Sequence, residues 1–124
     1  MSGGAIAALS GVINKCSISA TLTKTAAPSG GNVTSDTVTV SKPVGNSGAI
    51  DFLNYSYSGT LTDTQYSKNG GAFTSIADGS SITFANGDTL AMRGTGMTAG
   101  ESWTFTLRDA TLLQTIGTYT ITAS

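Results

Sequence analysis

The stretch Ser102-Trp103-Thr104-Phe105-Thr106-Leu107-Arg108 alternates without interruption between a large apolar side chain and a polar one. Successive side chains of a strand point to opposite faces, so this period of two places Trp103, Phe105 and Leu107 on one face. Thr104, Thr106 and Arg108 then form the other. A helix would scatter the same residues around its circumference. The polar partners are mostly β-branched threonines, whose stiff side chains suit a pleated surface better than a helical one.

The same rhythm spreads outward from this segment. Tyr119 and Ile121 alternate with Thr118, Thr120 and Thr122, and Val38 and Val40 alternate with Thr37, Thr39 and Ser41. Cys16, Ile18, Ala20 and Leu22 alternate with Ser17, Ser19, Thr21 and Thr23, which reads as one strand over 16–22 with Cys16 a buried, unpaired thiol. Residues 50–57 break the pattern: Ile50 and Phe52 share one face, whereas Leu53, Tyr55 and Tyr57 fall on the other. A bulge after Phe52 that resets the register accounts for this better than a strand buried on both sides. The predicted core is Ile18, Leu22, Val38, Val40, Leu90, Met92, Trp103, Phe105, Leu107, Tyr119 and Ile121.

Turn residues recur between these runs: Pro28-Ser-Gly-Gly31, Pro43 to Gly48, Ser58-Gly59, Asn69-Gly70-Gly71, Asp78-Gly79, Asn86-Gly87-Asp88, Gly94-Thr-Gly96 and Ala99-Gly100. Their spacing is that of a sandwich or small barrel. Asn69-Gly70 is the sharpest, since both residues tolerate the positive φ of a tight hairpin turn; it should join 65–68 to 72–75. Together these features predict an all-β fold, a single antiparallel β-sandwich of about seven to nine strands over 15–124, preceded by a short N-terminal arm over 1–14.

Composition narrows the function. The 124 residues include 21 threonines and 16 serines, only 10% charged residues, one cysteine and no histidine, for a net charge of −1. Nucleic acid is not an expected partner, because neutralising phosphates requires clustered positive charge. No run of 18 apolar residues suggests a membrane span. With one cysteine and no histidine, neither a disulfide framework nor a Cys/His zinc site can be built, and no cofactor or metal is expected. Nucleophilic catalysis lacks its usual histidine base, so the chain is not expected to be an enzyme. The seven carboxylates sit mostly at turns or strand ends, where Asp bonds its local backbone, and no spacing pairs two of them for acid/base work. Gly94-Thr-Gly96-Met-Thr-Ala99 matches a loose dinucleotide fingerprint, but a strand follows where a helix N-terminus would be needed; it reads as a hairpin loop. Asn32-Val-Thr34 and Asn54-Tyr-Ser56 fit the glycosylation pattern only as chance matches in a Ser/Thr-rich chain. The opening residues lack a positive charge ahead of their short apolar stretch, which is not the order of a secretory signal.

Tyr66-Ser-Lys-Asn-Gly-Gly-Ala-Phe-Thr-Ser75, Asn86-Gly-Asp-Thr-Leu-Ala-Met-Arg93, Trp103–Leu107 and Ile116-Gly-Thr-Tyr-Thr-Ile-Thr122 resemble an immunoglobulin-like β-sandwich module. That module occurs in tailed-bacteriophage virion proteins and in bacterial surface adhesins. The resemblance implies a hairpin at Asn69-Gly-Gly71, a strand after Gly87-Asp-Thr89, two closing strands, and a non-catalytic role in assembly or adhesion. It transfers no ligand-contacting residues. Phe73 departs from the indole common at its position.

A module of this size without a secretory signal is expected to be a virion structural protein made in the host cytoplasm. The expectation is a capsid decoration (cement) protein bound to the major capsid protein, with a tail or neck component as the runner-up. Self-association is a further partner expectation. A glycan-binding or adhesion module would use exposed Tyr66 and Phe73 on host-surface sugars. Within the arm, Ile6, Leu9, Val12 and Ile13 are too apolar for an idle tail: either Val12 and Ile13 simply begin the first strand and cover the edge of the sandwich, or Ile6 and Leu9 are anchors on a neighbouring subunit.

Overall fold

A computed structural model describes residues 12–124. Eleven strands form among them: β1 (Ser17–Ile18), β2 (Lys24–Ala26), β3 (Val33–Thr34), β4 (Val38–Ser41), β5 (Ala49–Tyr57), β6 (Asp63–Lys68), β7 (Thr74–Ser75), β8 (Ser80–Thr83), β9 (Thr89–Thr95), β10 (Ser102–Asp109) and β11 (Gln114–Ala123). One sheet runs β1-β4-β9-β6-β7, with β3 also paired to β9; the other runs β2-β11-β10-β5-β8. The two sheets enclose a shared core, so the chain is an all-β sandwich. The count exceeds the seven to nine expected because several strands are only two residues long. The pairing is also not wholly antiparallel, since β2 runs parallel to β11 with Ile121 opposite Lys24.

The alternating residues fill the core as predicted. Leu22, Val40, Leu90, Met92, Trp103, Phe105, Leu107 and Ile121 are fully buried, Val38 and Tyr119 nearly so, and Ile18 packs against them half-buried. Cys16 is buried and unpaired. Ile50, Phe52, Phe84, Ile76, Met97 and Val33 complete the cluster. Trp103 stacks on Phe105 at 4.6 Å between centroids, and Tyr55 meets Trp103 edge-on at 5.3 Å. The space for the indole comes from Gly94, where a Cβ would lie 2.6 Å from Trp103 Nε1.

Three local expectations need correction. Residues 16–22 are not one strand: β1 pairs with β4 and β2 with β11, so the chain crosses between sheets over 19–23 and Ala20 is exposed. Hydroxyls replace ladder partners there, with Thr39 N–H donating to Ser19 Oγ and Thr120 N–H to Thr23 Oγ1. The bulge expected after Phe52 exists but falls one residue later, after Leu53, at Asn54. Thr106 lies opposite Leu53 and Thr104 opposite Ser56, with Asn54 at φ 58°. Finally, Gly94–Ala99 is not a hairpin loop. It carries the chain from β9 in one sheet to β10 in the other.

The Asn69-Gly70 turn forms as expected, both residues at positive φ, with Gly71 N–H donating to the Lys68 carbonyl. It brings Gln65 opposite Ser75.

Candidate functional site

Because Asp109 lies opposite Ile50 and Trp103 opposite Tyr57, the loops 42–48 and 110–113 share one pole of the sandwich, and loop 58–62 lies at the other. The first pole is also where the chain arrives at β1. Three segments meet there around two buried polar side chains, Asn46 and Asp109, which are 2% and 0% exposed.

Asp109 continues the inward phase of Trp103, Phe105 and Leu107, so strand alternation drives a carboxylate inside. Its Oδ2 accepts from Cys16 N–H and from Asn46 Nδ2, each at 2.7 Å, and its Oδ1 accepts from Leu112 N–H at 2.9 Å. Asn46 also donates to the Asn14 carbonyl, while its Oδ1 accepts from Gly48 N–H, Thr111 Oγ1 and the Cys16 thiol. Burial alone would raise the Asp109 carboxyl, but the hydrogen bonds from Cys16, Leu112 and Asn46 together hold it below the ordinary carboxylate range. Burial, and then the neighbouring Asp109 charge, push the Cys16 thiol up to about 11, so it is a thiol and not a nucleophilic thiolate at neutral pH.

This network locks the loops that display two aliphatic side chains to solvent. Val44 is 96% exposed and Leu113 66% exposed. The Ser47 and Thr111 hydroxyls, 2.7 Å apart, tie the two loops together. A Cβ on Gly45 would touch Ile13 Cγ1 at 3.5 Å, which places the arriving chain beside the same loops.

The expected site residues do not assemble. Ile6 and Leu9 lie outside the described residues. Tyr66 turns toward the sandwich interior, half-buried with its ring 6.4 Å from Phe52. Phe73 sits on the opposite side of that sheet, beneath the Arg93 guanidinium at 4.1 Å from the ring centroid. Arg93 is held there by Nε and Nη2 bonds to Gln65 Oε1 at 2.9 and 2.6 Å. Neither ring is a free platform, and the two do not share a face.

Val44 and Leu113 escaped the sequence reading because each sits in a turn, where no periodicity distinguishes an exposed aliphatic from a buried one. The adjacent pair Leu112-Leu113 between two clean strands was the available signal. Asn46 and Asp109 carried none, since their partners lie as many as 93 residues away. No family model, curated protein or solved structure matches this chain.

Proposed function

We propose that the chain is a non-enzymatic immunoglobulin-like structural module of a tailed-bacteriophage virion, a capsid decoration protein that binds the outer surface of the assembled shell. The observation that carries the reading is strand order. Lettered along the chain, with β1 as A, β3 and β4 as B, β5 as C, β6 as D and β9, β10 and β11 as E, F and G, one sheet reads A-B-E-D and the other C-F-G. Read in this lettering, the order matches that of a constant-type immunoglobulin sandwich, and this match supports the reading. In this lettering β2 is a second part of A that has moved to the other sheet, and β7 and β8 are additions between D and E. The segments that resemble the phage module supply D with its hairpin and strands E, F and G.

The mechanism is attachment by surface complementarity. A rigid sandwich brings a weak contact to each repeated site of a shell, and many symmetric copies multiply it into firm attachment. Thr/Ser-rich faces form direct or water-bridged hydrogen bonds without desolvating ions. A tail or neck location would use the same chemistry, and the position of the chain in an intact particle separates the two. The glycan alternative gains no support from Tyr66 and Phe73, which face opposite sides of one sheet.

Deleting residues 2–10 tests the role of the arm carrying Ile6 and Leu9. The truncated chain should keep its thermal midpoint and lose binding to undecorated particles. Absence of the full chain from purified virions in stoichiometric amounts would remove the virion reading altogether.

A further inference from the structure

Leu113 occupies a conformation that works against it. Its φ of 56° is left-handed, and the other non-glycine residues with positive φ among those described are both asparagines, Asn54 and Asn69. Asparagine tolerates this region, whereas leucine there is strained. Leu113 is also two-thirds exposed, so the strain is not offset by burial. Folding alone favours Asn or Gly at this position, and strained residues of this kind concentrate at functional sites. Val44 adds a second, almost wholly exposed aliphatic on a loop linked to the first through Ser47 and Thr111.

The opposite pole offers a complementary shape. A recess of about 150 Å³ opens between the end of β5 and the start of β6, lined by Tyr55, Tyr57, Leu61, Thr62, Asp63 and Thr64. Tyr57 at its mouth is 60% exposed. Among the described residues, the buried Tyr55 hydroxyl has no hydrogen-bond partner.

Charge is complementary too. The three ion pairs among the described residues are Lys24–Asp36, Lys68–Asp88 and Arg108–Asp51. Lys15 and Lys42, at the Val44/Leu113 pole, take part in none of them. Nor do Asp63 and Glu101, at the recess pole, where Glu101 accepts from Thr60 and Thr98. The Val44/Leu113 pole thus presents two lysines outside these ion pairs, with the Asp109 carboxylate buried beneath them, and the recess pole presents two carboxylates outside them.

We propose that copies of this chain associate head to tail, the Val44/Leu113 pole of one copy seating on the Tyr57/Leu61 recess of the next, with Lys15 and Lys42 facing Asp63 and Glu101. Such a contact joins two different surfaces, so it repeats along a line or closes a ring, and does not stop at a two-fold dimer. The inference is independent of the virion reading, because it concerns the isolated chain.

Sedimentation velocity over a hundredfold range of concentration tests it. The weight-average mass of the wild-type chain should climb past that of a dimer, and high salt should reduce the climb. Leu113→Asn combined with Val44→Ser removes the first pole without disturbing the backbone. Tyr57→Arg removes the second by setting a cation against the lysines. Each variant alone should remain monomeric while keeping the wild-type circular dichroism spectrum. Mixed together, they should form a one-to-one dimer and nothing larger, because one intact pole of each kind remains. Dimerisation of Tyr57→Arg by itself would make the contact pole-to-pole and overturn the proposal. A wild-type chain that stays monomeric throughout also overturns it. In that event, loss of shell binding by the Leu113/Val44 variant would assign the pole to another virion protein, and association only after deletion of residues 2–10 would assign it to the chain's own arm.

Discussion

Asp109 and Asn46 together replace what would otherwise be unpaired backbone where three segments converge. A carboxylate is suited to this because its two oxygens accept from Cys16 N–H, Leu112 N–H and the Asn46 amide at once. Its pKa is depressed in the fold, so the folded state binds fewer protons than the unfolded chain. The stabilisation is therefore complete above the unfolded value of about 3.9 and is lost as pH falls through the folded value. Asp88 and Glu101 are depressed as well, each chiefly by a backbone N–H donor, from Ala85 and Thr98 respectively, and act in the same direction. The thermal midpoint should thus hold steady near neutrality and drop below about pH 4. Asp109→Asn should lower it at pH 7 by the equivalent of about 1–3 kcal/mol, since an amide NH₂ must then face an N–H donor. The same variant should flatten the acid limb, and an unchanged limb would assign acid sensitivity to other carboxylates.

Among the elements, β5 and the β3–β4 pair each contain one residue that repairs a break in pairing. The bulge at Asn54 shifts the phase of β5 so that Phe52 and Tyr55, three residues apart, both reach the core side. Without it, Tyr55 would face solvent and could not meet Trp103. Asn54→Val, a β-branched residue forced to positive φ, should cost about 1–2 kcal/mol in denaturant unfolding, whereas Asn54→Gly should be near neutral. Val33 lies opposite Gly94 and Val38 opposite Leu90, so β3 and β4 pair with β9 in succession, and Ser35 spans the gap between them. Ser35 N–H donates to the Met92 carbonyl at 2.8 Å and its Oγ accepts from Met92 N–H at 2.9 Å, a side chain completing a backbone pair. Ser35→Ala leaves that buried Met92 N–H unpaired, which should cost about 1–3 kcal/mol. Fast amide exchange appearing at Met92 in the variant would confirm the cause, and protection equal to wild type would refute it.

At the scale of the whole molecule, Trp103 of β10 in one sheet lies directly against Gly94 of β9 in the other. Trp103→Ala should cost about 3–5 kcal/mol as a large cavity opens in the core. Gly94→Ala should also destabilise, through overpacking by about 1–3 kcal/mol, because its methyl would meet Trp103 Nε1 at 2.6 Å and Met97 Sδ at 2.7 Å. The two changes share one contact, so their combined effect should be smaller than their sum when each is measured by urea unfolding. Strict additivity would mean that the glycine is needed for some reason other than the indole.

Period-two alternation at Val38–Ser41, Trp103–Arg108 and Thr118–Thr122 by itself determined strand identity and inward face, because both follow from backbone geometry a few residues long. The positive-φ turn at Asn69-Gly70 was legible for the same reason. Which sheet each strand joins was not, since pairing depends on contacts between residues far apart in the chain. Residues 16–22 alternate as cleanly as a single strand, yet they divide between sheets because β4 and β11 offer separate edges. The candidate site was the least legible part. An exposed Leu113 and a half-buried Leu112 are alike in sequence, and only the convergence of Asn14, Asn46 and Asp109 at one pole decides which loops are held rigid and what they present to solvent.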